Sequence, residues 1–293
     1  MRSLVASQVA HCCSRSGTSS ERVLASWIPR ATPDTEPDLT RQLEFAEKVA
    51  LVTGAASGIG KATVSSFARK GATVILADIN SDAGERVAAD LRSEGNDAVF
   101  VRTDVSDSDQ CLALVDFIKT NFGRLDIACN NAGIADGVAP PATHELPLDV
   151  WRRMIDVDLS GVFYCLQAEL PLLLSTGAGV IVNTASLQSF ISFPRTAAYT
   201  AAKHGVHGLT KAIAKEYGPQ GIRCNAVAPG VVDTPLTREI LSNDTWRAAL
   251  EEKIPLGRTA TPEDVASVMT WLCSEGGRYL NGVCLPVDGG FLT

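Results

Sequence analysis

VALVTGAASGIG, residues 49–60, decides the fold. Val49 to Val52 form a short, apolar, Val-rich run of the kind that suits a buried strand. The run passes directly into a turn holding Gly54, Gly58 and Gly60, after which a helical pattern begins. Glycines at such a turn let the chain bend sharply. They also let the backbone N–H groups around Ser57, Gly58 and Ile59 approach a pyrophosphate at the helix N-terminus. The spacing is GxxxGxG and not the commoner GxGxxG. A glycine turn also serves as a plain turn, and its place after a first strand is what gives it weight.

Downstream, the same alternation repeats. ATVILAD, AVFVRTD, LDIACNNAG, GVIVNTAS, IRCNAVAPG and GVCLPVDGG read as strands, and helical stretches such as residues 61–70, 82–93 and 108–122 lie between them. Strands alternating with helices predict an α/β fold: a doubly wound, Rossmann-type parallel sheet with helices on both faces. No internal repeat or second core is evident, so residues 45–293 are read as one domain. The second strand ends in Asp78, about twenty residues past the glycine turn, where a carboxylate would accept hydrogen bonds from adenosine ribose hydroxyls and repel a 2'-phosphate. No Arg or Lys occurs in residues 55–59 to suit that phosphate, so NAD is expected over NADP. Asp104, after the third strand, is placed to bond the adenine amino group, with Val105 against the ring.

Residues 1–44 differ in kind. MRSLVASQVAHCCSRSGTSSERVLASWIPR is rich in Ser, with four arginines and one acid. That composition fits a mitochondrial-type transit peptide, or else a disordered tail followed by a linker. Without such targeting a cytoplasmic location is expected. Over 293 residues, 45% hydrophobic and 20% charged, a full core can be buried, and the net charge of −7 argues against a nucleic-acid surface. No uninterrupted apolar run approaches the roughly 20 residues that span a bilayer. The eight cysteines (12, 13, 111, 129, 165, 224, 273 and 284) show no ligand spacing, so buried reduced thiols are expected and no metal.

NTASLQSFISFPRTAAYTAAK, residues 183–203, carries the chemistry. On a helix, Tyr199 and Lys203 are i,i+4 neighbours. A lysine charge roughly 4 Å from a phenolate, at an effective dielectric near 20, stabilises it by about 4 kcal/mol. That would turn a poor base into a usable one, and Ser186 adds a hydroxyl for a substrate oxygen. Tyr and Lys at this spacing also occur on solvated helices, so the pair needs support from the rest of the chain.

That support comes from the joint pattern. TGAASGIG at 53–60, Asp78, Asp104, NNAG at 130–133, Ser186, YTAAK at 199–203, Pro229 and Gly230 with Thr234, and VDGG at 287–290 together resemble the short-chain dehydrogenase/reductase family over about residues 47–292. The resemblance implies Tyr199 as general acid/base, Ser186 orienting the substrate oxygen, and Lys203 acting on both Tyr199 and the nicotinamide ribose. It implies cofactor contacts along Gly54 to Gly60, at Asn131, Ala132 and Gly133, and at Pro229, Gly230, Val232 and Thr234. It also implies a homotetramer or homodimer, supported by the apolar runs at residues 148–174 and 197–217. In one place the chain departs: Asp158 stands where the family usually has an asparagine in its proton relay. A carboxylate roughly 6 Å from Lys203 is expected to weaken the site without abolishing it, shifting alcohol oxidation to alkaline pH.

The expected function is hydride transfer between NAD(H) and a medium-sized secondary alcohol or ketone. The alternatives are an NADPH-dependent ketone reductase or a non-catalytic cofactor-binding protein. Residues 188–194 and 233–258, with Leu236, Leu241 and Trp246, are expected to form the pocket wall and lid. Arg195 is a candidate for a substrate carboxylate. His204 and His207 are expected to serve the helix face.

Overall fold

A computed structural model describes residues 43–137 and 139–293. The proposed transit segment, with Cys12 and Cys13, therefore lies almost wholly outside the described residues. Seven strands form one parallel sheet: β1 (Val49–Thr53), β2 (Thr73–Asp78), β3 (Ala98–Arg102), β4 (Ile127–Asn130), β5 (Gly179–Thr184), β6 (Ile222–Pro229) and β7 (Cys284–Val287), in the order β3-β2-β1-β4-β5-β6-β7. All seven strands expected from the sequence are present. The helices are α1 (Gly58–Arg69), α2 (Ser81–Ser93), α3 (Ser108–Phe122), α4 (Leu148–Ile155), α5 (Gly161–Ser175), α6 (Ala197–Tyr217), α7 (Arg238–Leu241), α8 (Asp244–Glu251) and α9 (Pro262–Cys273).

Side-chain alternation along each strand divides the core in two. On one face Leu51 and Ile75 pack with Leu114 and Ile118 of α3, Leu166 and Leu173 of α5, and Val206 of α6. On the other, Ala50, Val52, Val74 and Leu76 pack with Val64 and Phe67 of α1, Leu91 of α2, and Val265 and Met269 of α9. Each fully buried aliphatic side chain contributes about 1.5–3 kcal/mol, which is why strands covered on both faces read as unbroken apolar runs. After β3 the chain crosses to the other side of β1 to form β4. The connections leaving β1 and β4 therefore run in opposite directions and open a crevice at the carboxyl ends of these strands.

Two sequence boundaries change. Leu43 and Glu44 belong with the domain: Phe45 is buried edge-on to Phe67, and Glu44 pairs with Lys70 at 2.8 Å. Residues 148–174 are not one regular helix. Asp156–Ser160 form a π turn between α4 and α5, and its wider winding turns Asp158 fully inward. The whole run Leu148–Ser175 has the length and hydropathy of a membrane span, but 61% of its most apolar window is buried inside the fold. It is a core helix. The six cysteines of the described residues are free, five of them buried. No cluster of potential metal ligands occurs among the described residues.

Candidate active site

A cleft of about 460 Å³ opens at that crevice. One end is built by the glycine turn. Gly54 has φ +64°, and a Cβ there would sit 2.8 Å from Ala132 Cα, so the β1 turn and the end of β4 touch only because it is glycine. Ser57 makes no side-chain cap to α1, whose first turn carries no acid. The open N–H groups and the positive helix end therefore face the cleft ready for an anion. Ser57, Gly58 and Ile59 line it. Gly60 does not. A Cβ at Gly60 would lie 2.1 Å from the Gly54 carbonyl oxygen, so this glycine lets helix and turn pack.

Asp78 sits at the far wall with both oxygens engaged. Oδ2 accepts from Ala56 N–H (3.0 Å) and Oδ1 from Asn80 N–H (2.9 Å), which fixes the carboxylate's orientation. Asp104 and Val105 do not line the main cleft. They line an adjoining recess of about 120 Å³ that shares Gly54, Asp78, Ala132 and Gly133 with it. There Asp104 Oδ1 accepts from the N–H and hydroxyl of Ser106. Ile79 and Arg153, which sequence reasoning missed, complete the recess.

Asn131 ties three strand ends together. Its Nδ2 donates to the Thr53 carbonyl (3.0 Å), and its Oδ1 accepts from the Thr184 hydroxyl (3.3 Å). Ala132, Gly133, Pro229, Gly230, Val232 and Thr234 line the cleft as expected, Thr237 joins them from the expected wall segment, and Ile134 and Thr184 join them unforeseen. Thr237 donates its hydroxyl to the Val232 carbonyl, anchoring the start of the lid.

Ser186, Tyr199, Lys203 and Asp158 meet at the other end. Ser186 Oγ accepts from Gln188 N–H (3.2 Å), leaving its own hydrogen to turn to the Tyr199 oxygen or to a substrate oxygen. Lys203 is buried. Its Nζ donates to the Thr184 carbonyl (3.1 Å), lies 5.4 Å from the Tyr199 ring centre and stands 3.1 Å from Asp158 Oδ2. Asp158 Oδ1 accepts from Ile134 N–H (2.8 Å). The carboxylate is thus in direct ion pair with Lys203, closer than the 6 Å expected.

The electrostatics follow. Burial depresses the Lys203 ammonium, but the charges of Asp158 and Tyr199 outweigh it, so its pKa is raised and it stays charged. Tyr199 differs from expectation. Burial raises its pKa first, Lys203 and the Ser186 hydroxyl lower it, and Asp158 with the unforeseen Asp136 raise it again; the net direction is up. The lysine alone does not make this phenol a neutral-pH base.

The expected substrate wall is only partly present. Leu236 lines the cleft, while Leu241, which is buried, and Trp246, which is exposed, do not. Gln188 Oε1 instead accepts from Thr196 and Thr200. Phe193, Pro194 and Arg195 line a separate open groove with His204, so Arg195 is not in the cleft. His207 is half-buried with its ring centre 5.3 Å from that of Phe190, the two planes tilted by 57°.

A family model described as enoyl-(acyl carrier protein) reductase matches residues 54–292. Cis-4-hydroxycyclohexanecarboxylate dehydrogenase of Sinomonas cyclohexanicum is 44% identical, over 84% of this chain and 97% of its own. Cyclohexanol dehydrogenase of Acinetobacter sp. (strain SE19) is 42% identical, over 85% and 97%. The chain belongs to the short-chain dehydrogenase/reductase family. A solved structure described as a putative NAD(P)-dependent gluconate 5-dehydrogenase from Beutenbergia cavernae, with NADP bound at low occupancy, superimposes with a TM-score of 0.80 at 36% identity, covering 86% of this chain and 99% of that one. As a member of this family the chain is an NAD(P)-dependent oxidoreductase that transfers hydride between nicotinamide and a secondary alcohol or ketone.

Proposed function

We propose that the cofactor is NAD(H), that the alcohol is carried on a ring, and that Ser186, Tyr199, Lys203 and Asp158 run the proton side of the reaction. The observation that carries the cofactor choice is Asp78. Its carboxylate is held by two backbone N–H groups at the ribose end, and the arginine of the adjoining recess, Arg153, donates to the Ser106 hydroxyl (3.3 Å). A 2'-phosphate would meet a fixed negative charge. The two ring-alcohol dehydrogenases at 42–44% identity support the substrate class.

The cofactor, when bound, supplies or receives the hydride at its nicotinamide ring. In alcohol oxidation Tyr199 takes the hydroxyl proton while Ser186 donates a hydrogen bond to the same oxygen and holds it in line. Lys203, charged and fixed on the Thr184 carbonyl and Asp158, favours the phenolate and has one hydrogen left for the cleft. Asp158 fixes Lys203 and, through Ile134, the loop after β4.

Titrating the protein with NADH and with NADPH by fluorescence tests the cofactor, and a panel of cyclohexanols with NAD tests the substrate class. Tighter binding of NADPH would overturn the first. We also infer a homo-oligomer, dimer or tetramer: Leu148, Val150, Trp151 and Phe163 are large apolar residues left exposed along α4 and α5, a group that a second subunit would cover. Sedimentation velocity at micromolar concentration should show no monomer, and a monomer alone would refute the inference.

A further inference from the structure

We propose that Gln188 is a positioning residue for the proton side of the reaction, tying the Ser186 hydroxyl to the first turn of α6 so that Ser186 and Tyr199 meet on one substrate oxygen. The inference rests on the roles given to Ser186 and Tyr199 above and goes beyond them. Both hydroxyls must reach a single atom, yet they stand on different elements. Ser186 follows β5 and Tyr199 lies in the first turn of α6. The connection between them does not fix their spacing, because residues 192–195 are exposed and the chain turns at Arg195 with φ +69°.

Gln188 supplies the restraint from both ends. Its N–H donates to Ser186 Oγ (3.2 Å), which sets the direction of that hydroxyl. Its side chain runs to α6, where Oε1 lies 2.7 Å from the Thr196 hydroxyl and 2.8 Å from the Thr200 hydroxyl. Thr196 and Thr200 are i,i+4 neighbours, so one oxygen can meet both. Tyr199 stands between them in the chain.

A second observation points the same way. Thr196 occupies the position that begins α6, where a hydroxyl ordinarily accepts from the N–H groups of its own helix. It makes no such cap. Its oxygen instead faces Gln188 Oε1, the Phe193 carbonyl (2.9 Å) and the Thr200 hydroxyl (3.1 Å), so the start of the helix is held by the segment after Ser186. Ser189 adds a tie further along α6, where its buried hydroxyl donates to the Lys203 carbonyl (2.7 Å). A misplacement of about 1 Å at such a site costs up to about a hundredfold in rate.

The experiment takes whichever cyclohexanol of the panel above turns over fastest and follows its oxidation with saturating NAD from pH 7 to 10. The variants are Gln188→Met, Gln188→Glu, Ser186→Ala and the double variant Ser186→Ala with Gln188→Met. Methionine keeps the length of the side chain and removes the acceptor. Glutamate keeps an acceptor for both threonines, and its charge moves the profile along the pH axis without lowering its height. Gln188→Met is expected to lower the maximal kcat by about thirtyfold, with KM for the alcohol and NADH binding within a few-fold. Gln188→Glu should recover the maximum to within a few-fold. On Ser186→Ala the added Gln188→Met change should cost less than about twofold, because a residue that acts through Ser186 then has nothing left to position. Losses that multiply in the double variant, a Gln188→Met enzyme as fast as the unaltered one, or a Gln188→Glu enzyme as slow as Gln188→Met would each overturn the proposal and leave the roles of Ser186 and Tyr199 standing. Where Gln188→Met does not fold, Thr200→Val takes its place by removing one donor from the α6 side, with a fall of about fivefold expected and the same cycle deciding. An undiminished rate in Ser186→Ala, or no turnover of any cyclohexanol by protein that binds NADH, would overturn the reading on which the proposal rests and the proposal with it.

Discussion

Tyr199→Phe is expected to lower turnover of a secondary alcohol by about a thousandfold, within the usual range for loss of a positioned acid/base, while NADH binding stays within a few-fold. The phenyl ring keeps the packing and its position above Lys203 Nζ, so only the hydroxyl is lost. The residual rate would come from Ser186 and from holding the alcohol against the cofactor. The pH profile separates this reading from a structural one. Oxidation needs the phenolate, and the Tyr199 pKa is raised by burial and by Asp158 and Asp136 against the help of Lys203 and Ser186. The unaltered enzyme should therefore gain activity as pH rises into the alkaline range, a limb that disappears in Tyr199→Phe. Asp158→Asn should move that limb to lower pH, because it removes one of the charges opposing the phenolate, at some cost in stability from leaving buried Lys203 without its counter-ion. A limb that survives in Tyr199→Phe would assign the proton to another group. A limb unmoved in Asp158→Asn would overturn the electrostatic account of Asp158.

Where the sequence could be read, periodicity and local chemistry coincided. The inner strands are legible because they are covered on both faces and so are largely apolar, the half-exposed edge strands β3 and β7 still carry Val, Phe and Leu, and Ala197–Tyr217 is legible because small residues and the Tyr–Lys spacing fall on one helix. The π turn at Asp156–Ser160 was not legible. Its sequence, DVDLS, still fits a helix, and the extra residue per turn is imposed by what Asp158 finds inside: the Ile134 N–H and the Lys203 ammonium. Partners that far apart in sequence leave no local signature.

The same limit explains the site. Glycines were visible as glycines, but whether Gly60 faces a ligand or a carbonyl depends on how α1 crosses the β1 turn. The Tyr–Lys spacing revealed a neighbour that lowers the phenol's pKa. It could not show that burial and two carboxylates from other elements outweigh it. Arg195 was a candidate by proximity to Ser186 in sequence, yet the chain turns at it with φ +69° and leads it to a different groove.

Glu169 was silent in the sequence, an acid within an apolar helix, and it yields the largest expected effect on stability. It is fully buried on α5, where Oε2 accepts from Asn130 Nδ2 (3.2 Å), and that amide also donates to Asn183 Oδ1 (3.1 Å). Glu169 Oε1 and Asn130 Oδ1 are both buried without a partner. A proton on Oε1 would make it a donor, and Asn130 Oδ1 is the unfilled acceptor on the residue that already bonds the other oxygen. Burial pushes the carboxyl up from 4.5 to about 7 against the smaller lowering by Asn130. The groups that feel its charge include the buried thiols Cys129, Cys165 and Cys224, and none of them is a cation that could hold it ionised. Between pH 4.5 and 7 the unfolded chain has released this proton and the folded chain retains it, so Glu169 reduces stability as pH rises through that window. Above pH 7 both states are ionised and the deficit is constant at about 3 kcal/mol. Glu169→Gln keeps the shape, donates to Asn130 Oδ1 and never ionises. It should match the unaltered protein in denaturant titrations near pH 4.5 and exceed it progressively up to pH 7, by about 3 kcal/mol thereafter. A stability difference that does not change with pH would show that the carboxyl has the same protonation in the folded and unfolded chain, and the buried acid would then need another partner.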